Sequence, residues 1–175
     1  MSKWKHNYLD DLSRYGDSQP SKQIKLFLKY FRKCQFTSNR FATAINRCQF
    51  SSIKQKLNIE LFGKTNIGPG LYIGHPYGIT INADVIIGKN CNIHKGVTIG
   101  QENRGSRKGT PIIGNCVWIG VNSTIVGKVI IGDDVLIAPN TFVNCDIPSH
   151  SVVFGNPCII KHKENATEGY INNKI

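Results

Sequence analysis

The chain has 175 residues, 40 % of them hydrophobic, 9 % aromatic and 19 % charged, a mixture too apolar for a disordered chain. No run of about 18 uncharged apolar residues occurs, which excludes a spanning helix, and Met1 to Asp10 holds no apolar segment of a secretory signal. The net charge of +11 is uneven: residues 1–66 carry 13 Lys or Arg against 4 Asp or Glu, whereas residues 67–175 carry 9 against 7.

Helical spacing dominates residues 1–57, read as an α-helical segment. Ser21 to Lys33 places Ile24, Phe27, Leu28 and Phe31 on one stripe, with Ser21 as the N-cap. A second helix is predicted from Ser38 to Gln49, with Phe41, Ala44, Ile45 and Cys48 forming its apolar face. Residues 1–18 have room for a third.

From residue 58 the pattern changes to a period of six. Ile67, Ile73 and Ile79 share one phase. Ile81, Ile87, Ile93 and Ile99 share a second, and Ile113, Ile119, Ile125, Ile131, Ile137 and Val143 a third. A six-residue period fits neither a helix nor a flat strand. It predicts a mainly β fold, a triangular solenoid with one aliphatic per side pointing inward and three hexapeptides per coil. Ile67 to about Val153, 87 residues, then make about five coils, within a solenoid domain read as residues 58–161. The first phase shift falls just after His75. The second encloses Gln101 to Thr110, a polar, basic segment read as a loop extruded from the solenoid. Residues 162–175, polar and Asn-rich, are read as a tail that caps an open end or is partly mobile.

Six scattered cysteines without a CxxC pair are read as reduced packing residues, and no spacing calls for a metal. Among five histidines, His6 and His162 lie in polar flanks and His150 in the closing turn. His94 sits in an ordinary coil and is expected to face outward. His75, between Gly74 and Pro76 at the break in phase, is the distinctive one. A histidine suits general-base work because its pKa of about 6.5 leaves it mostly neutral near pH 7. No GxSxG nucleophile motif is present, which favours direct attack over an acyl-enzyme.

The hexapeptide phases, GLYIGHPYGITIN (70–82), CNIHKGVTIG (91–100), PIIGNCVWIG (111–120) and the closing GNP (155–157) resemble the hexapeptide-repeat acyltransferases, in particular the serine acetyltransferase branch. The resemblance implies a left-handed parallel β-helix, a homotrimer, and acetyl-CoA bound in the groove between neighbouring solenoids. It also implies His75 as the catalytic base, with Glu60, fifteen positions earlier, orienting the imidazole. Donor contacts are expected from Gly100, Gly120, Val121, Ala138 and Pro139, with Trp118 as a groove wall and Lys108 or Lys161 meeting phosphates. Arg107 and His94 are expected on the acceptor side.

Two departures bear on the acceptor. The serine enzymes carry a much longer N-terminal helical domain. They also carry an Arg-His pair before the proline that ends the loop, where this chain has Gly109 and Thr110 before Pro111. The expected acceptor is therefore a sugar hydroxyl in surface-polysaccharide assembly, with serine as the alternative and a non-enzymatic scaffold as the third reading. The expected setting is cytoplasmic, without nucleic acid. The basic N-terminal helices are expected to join two trimers or to touch a membrane surface.

Overall fold

A computed structural model describes residues 1–175. Three helices come first: α1 (Lys3–Ser13), α2 (Lys22–Phe36) and α3 (Arg40–Lys56). The Ser21 hydroxyl accepts the Ile24 N–H at 3.3 Å and starts α2, whose buried face is the predicted Ile24, Phe27, Leu28 and Phe31. The Asn39 side chain caps α3 in the same way. The face of α3 differs from expectation: Phe41 is 85 % and Ile45 62 % exposed, and the buried residues are Asn46, Phe50 and Ile53. The reason is length. α3 runs to Lys56, well past Gln49, and its added turns set the Phe50 ring 5.4 Å from Phe27 and 5.8 Å from Phe31. None of the helices is long and apolar enough to cross a membrane.

The solenoid has three parallel sheets. The first holds Asn66–Ile67, Ile86–Ile87, Ile112–Ile113 and Ile130–Ile131. The second holds Tyr72–Gly74, Asn92–His94, Trp118–Ile119, Val135–Ile137 and Ser151–Phe154. The third holds Thr80–Ile81, Thr98–Gly100, Thr124–Val126 and Phe142–Val143. Successive coils stack in register, so Ile73, Ile93, Ile119, Ile137 and Val153 form one inward column, each at most 3 % exposed. These fully buried aliphatics, each stabilising by about 1.5–3 kcal/mol, form the core.

Register explains both phase shifts. Ile73 pairs with Ile93 and Ile81 with Ile99, so eight residues in the first coil span what six span in the second. The two extra residues widen the corner that contains His75. Ile79 consequently stands beside Val97, outside the inward column of Ile81 and Ile99 that its six-residue spacing suggested; both are buried. At the second shift, residues 101–110 leave as a hairpin closed by paired backbone bonds of 3.0 Å between Glu102 and Gly109. It leans on the next coil, where the Lys128 N–H donates to the Arg107 carbonyl at 2.8 Å.

The helices close the first coil with polar side chains. Arg32, fully buried, makes two 2.7 Å bonds to Asp11 and donates to the carbonyls of Ile67 and Gly68. The Asp11 carboxylate also accepts the Leu71 N–H at 2.8 Å. The Tyr15 hydroxyl accepts the Ile73 N–H and donates to its carbonyl.

The tail does not cap an open end. After an antiparallel strand, Ile159–His162, it returns along the solenoid as a strap. Asp134 accepts bonds from the Ala166 and Thr167 N–H groups and the Thr167 hydroxyl. Further on, Arg14 Nε donates to the Asn172 carbonyl and the Ile175 N–H donates to Asn90. Burial alone would raise the Asp134 carboxyl. The bonds from Thr167, His150 and Ala166 outweigh it and hold the group below the usual carboxylate range.

Candidate active site

The corners between the second and third sheets line up as one edge. The Lys95 N–H donates to the Gly74 carbonyl at 3.1 Å, Asn122 to Lys95 at 3.0 Å and Asn140 to Val121 at 2.9 Å. His75 therefore shares this edge with Gly120, Val121, Ala138 and Pro139. Gly120 lets the coils close up, since a β-carbon there would fall 2.6 Å from the Pro139 nitrogen. His75 is exposed and adopts φ 56°, a left-handed conformation that few side chains tolerate. Its ring makes no hydrogen bond or ion pair within the chain.

Glu60 does not join it. The carboxylate is exposed and has no ion pair; only the backbone of Glu60 is engaged, pairing with Ile79 and Ile81 at 2.8 Å. Buried Ile59 and Leu61 on either side force the side chain outward, on a surface shared with Lys54, Asn58 and Thr80. The expected Glu60–His75 hydrogen bond is absent.

His94, next to inward Ile93, faces outward as expected, but it is not a free surface residue. It is half-buried, its ring lies against Gly74, and a β-carbon at Gly74 would fall 2.5 Å from His94 Cδ2. Its Nδ1 lies 3.0 Å from the Ile119 carbonyl oxygen. That oxygen can only accept, so the proton sits on Nδ1 and Nε2 keeps a free lone pair. Burial lowers the His94 pKa, the Ile119 bond opposes this, and nearby His75 lowers it further. His94 is thus a neutral imidazole one strand-end away from His75.

Trp118 lies apart from the His75 edge. One residue before inward Ile119, it points out of the second sheet, 4.6 Å from the His94 ring and edge-on to Tyr170. It walls a cavity of about 500 Å³ between that sheet, the end of α1 and the strap, not the donor edge. Tyr72 and Tyr170 supply further walls, and Arg14 and Asp17 bring opposite charges. Arg14 is only 3 % exposed and donates to Gly70, Asn92 and Asn172, with no carboxylate in reach. The sequence reading missed this cavity. Its one signal was the outward residue preceding the inward isoleucine in successive coils, Tyr72, Asn92 and Trp118.

The remaining expected residues sit apart. Gly100, Arg107 and Lys108 lie where the third sheet meets the first, at the root and arm of the hairpin. Lys161 is on the antiparallel strand, its ammonium 5.6 Å from the Phe154 ring. In one chain most of the assigned residues thus divide between two edges of a prism, with Glu60, Trp118 and Lys161 on neither. No cluster of three or more His, Cys, Asp or Glu side chains gathers at metal-binding distance. Cys91, fully buried, has its thiol pushed up to about 12 by burial, as suits a packing residue.

A three-sided parallel solenoid with a histidine at one widened corner defines a class, the hexapeptide-repeat transferases. Residues 110–145 match the family described as bacterial transferase hexapeptide (six repeats). The chain is 33% identical over 125 residues to the serine acetyltransferase of Helicobacter pylori, which covers 67% of this chain and 73% of that protein. Its fold matches soybean serine acetyltransferase complexed with serine (TM-score 0.77, 21% identity, covering 90% of this chain and 69% of that one). It also matches serine acetyltransferase from Brucella abortus in complex with coenzyme A (TM-score 0.74, 19% identity, 92% and 68%). The chain belongs to the serine acetyltransferase family of hexapeptide-repeat transferases, and it is an acyltransferase.

Proposed function

We propose that this protein is an acetyl-CoA-dependent serine O-acetyltransferase. The observation that carries the reading is the 33% identity to the Helicobacter pylori serine acetyltransferase across 73% of that protein. It reverses the order of acceptors drawn from the sequence, where a sugar hydroxyl came first. The cavity beside His94 supports it: exposed Asp17 at its rim can meet the ammonium of an amino acid, and Arg14 behind the wall makes the field positive for the carboxylate.

In the proposed reaction His75 takes the proton of the serine hydroxyl as its oxygen attacks the thioester carbonyl. The tetrahedral oxyanion collapses, the carbon–sulfur bond breaks, and the imidazolium returns its proton to the departing thiolate. The donor lies along the edge of Gly120, Val121, Ala138 and Pro139. His94, neutral and fixed by Ile119, positions the acceptor from the cavity side.

The coils are left-handed and three copies associate. The split of the assigned residues between two edges supports this reading, because a neighbouring copy brings Gly100, Arg107 and Lys108 to the His75 edge. So does the lack of a partner for His75 within its own chain.

A sugar-hydroxyl acceptor is the second reading. Gly109 and Thr110 stand where the serine enzymes have Arg-His, and aromatic Tyr72, Trp118 and Tyr170 line a cavity far larger than serine requires. The test is release of coenzyme A thiol by the purified protein with acetyl-CoA and either L-serine or free sugars and nucleotide sugars. Serine-dependent release is expected. No release with serine alongside turnover of a sugar would replace the first reading by the second.

A further inference from the structure

Residues 18–59 contain no Asp or Glu and nine Lys or Arg. Arg32 is neutralised by Asp11, and it is the only one of the nine with a carboxylate within ion-pair distance. The other eight, Lys22, Lys25, Lys29, Lys33, Arg40, Arg47, Lys54 and Lys56, leave α2 and α3 cationic with no acidic side chain of their own. On the outer side of α3, Phe41, Ala44, Ile45 and Cys48 form a stripe at helical spacing, all of them exposed. Arg40 and Arg47 each precede a member of that stripe, and exposed Lys56 extends it. Burial of this face is achieved by nothing in the chain, since α2 and the solenoid take the opposite one, Phe50 and Ile53.

We propose that α3 seats the protein on an anionic lipid surface, with Phe41 and Ile45 entering the boundary between headgroups and acyl chains. Arg40, Arg47 and Lys56 lie over the headgroups. An amphipathic helix with a cationic flank and aromatic or aliphatic residues on its apolar side binds this way. Two alternatives fit less well. A second copy meeting this face symmetrically would bring the acid-free surface against itself, and like charges would oppose each other. A nucleic acid would meet the cations but give Phe41 and Ile45 nothing to bury. The proposal is independent of the acceptor.

The test is flotation of the full-length protein with vesicles of phosphatidylcholine and phosphatidylglycerol at 70:30, against pure phosphatidylcholine, in 0.1 M salt. At least tenfold more protein is expected to float with the anionic vesicles, and 0.5 M salt is expected to remove most of it. The doubles Phe41→Ser/Ile45→Ser and Arg40→Gln/Arg47→Gln, both at exposed positions, are each expected to cut flotation about tenfold with circular dichroism and particle mass unchanged. Three results would overturn the proposal. One is equal flotation of wild type and both doubles, or none by wild type. Another is a fall in particle mass for Phe41→Ser/Ile45→Ser, which would make the face a contact between copies. The third is retention of a DNA duplex by a protein that ignores the vesicles.

Discussion

The helical layer and the solenoid hold together by different means. The solenoid repeats one solution: inward aliphatic columns and parallel backbone ladders, each coil satisfying the next. The first coil has no coil beneath it, so its lower backbone groups need other partners. The helices supply them with side chains. Arg32 takes the carbonyls of Ile67 and Gly68, Arg14 that of Gly70, Asp11 the Leu71 N–H, and Tyr15 both groups of Ile73. The helices thus act as the capping repeat that a solenoid requires. The proposed chemistry belongs to the repeating part, at the corner that two extra residues widen.

That division implies that activity and capping separate under mutation. His75→Ala is expected to lower the turnover rate by about 10²–10⁴, the usual contribution of a positioned general base. Its melting temperature should match wild type, because an exposed corner side chain buries little. His6→Ala, at an exposed position of α1, is the control and should keep full rate. A fully active His75→Ala would move the base elsewhere, His94 being the next group to test.

Asp11→Ala attacks the other region. Removing one member of a fully buried pair leaves Arg32 charged and uncompensated, at a cost of about 3–5 kcal/mol. Hydrogen exchange should localise the damage. Amides of Leu71 and Ile73 are expected to lose protection while those of Ile119 and Ile137 retain it. Equal loss throughout would mean that cap and solenoid are one cooperative unit, and the comparison would fail.

The two regions were also unequally legible in the sequence. The solenoid's period is a local signal repeated coil after coil, so both phase breaks and an extruded loop at 101–110 could be read directly, though not its pairing as a hairpin. Ile79 was placed wrongly because two inserted residues happen to keep a six-residue spacing from Ile73. In the helices each face is decided by a partner that the sequence does not name. The Phe41 and Phe50 stripes of α3 are both apolar at helical spacing, and only the position of α2 selects Phe50. The cavity at Trp118 was hidden for the same reason. It forms from α1, the second sheet and the strap, which are far apart in the chain.

The strap offers a pH test. Because the Asp134 carboxyl is held below its ordinary value, its contribution is complete above the unfolded value of about 3.9 and is lost as pH falls through the lower folded one. Asp134→Asn is expected to cost about 1.5–3 kcal/mol at pH 7, the range for hydrogen bonds to a charged group. It should also flatten the fall in melting temperature below pH 4. Exchange of residues 165–175 should rise in the variant with the aliphatic columns unaffected. A variant as acid-sensitive as wild type would assign that sensitivity to other carboxylates.

The smallest effect is expected at Glu60, where resemblance and geometry disagree. The resemblance makes its carboxylate the partner of His75. The structure leaves it exposed between buried Ile59 and Leu61, with its backbone alone engaged in the ladder to Ile79 and Ile81. Glu60→Gln keeps that backbone and removes only a charge without a partner. Stability should therefore change by no more than about 0.5 kcal/mol, as for surface substitutions in general. The turnover rate should stay within about threefold of wild type, since no ring tautomer depends on the carboxylate. The measurement is the rate of thiol release at saturating donor and acceptor, paired with a melting curve. A loss of tenfold or more with the melting curve unchanged would show that the carboxylate reaches His75 during turnover. The corner would then have to close around substrate, and the dyad implied by the family would stand against the resting geometry.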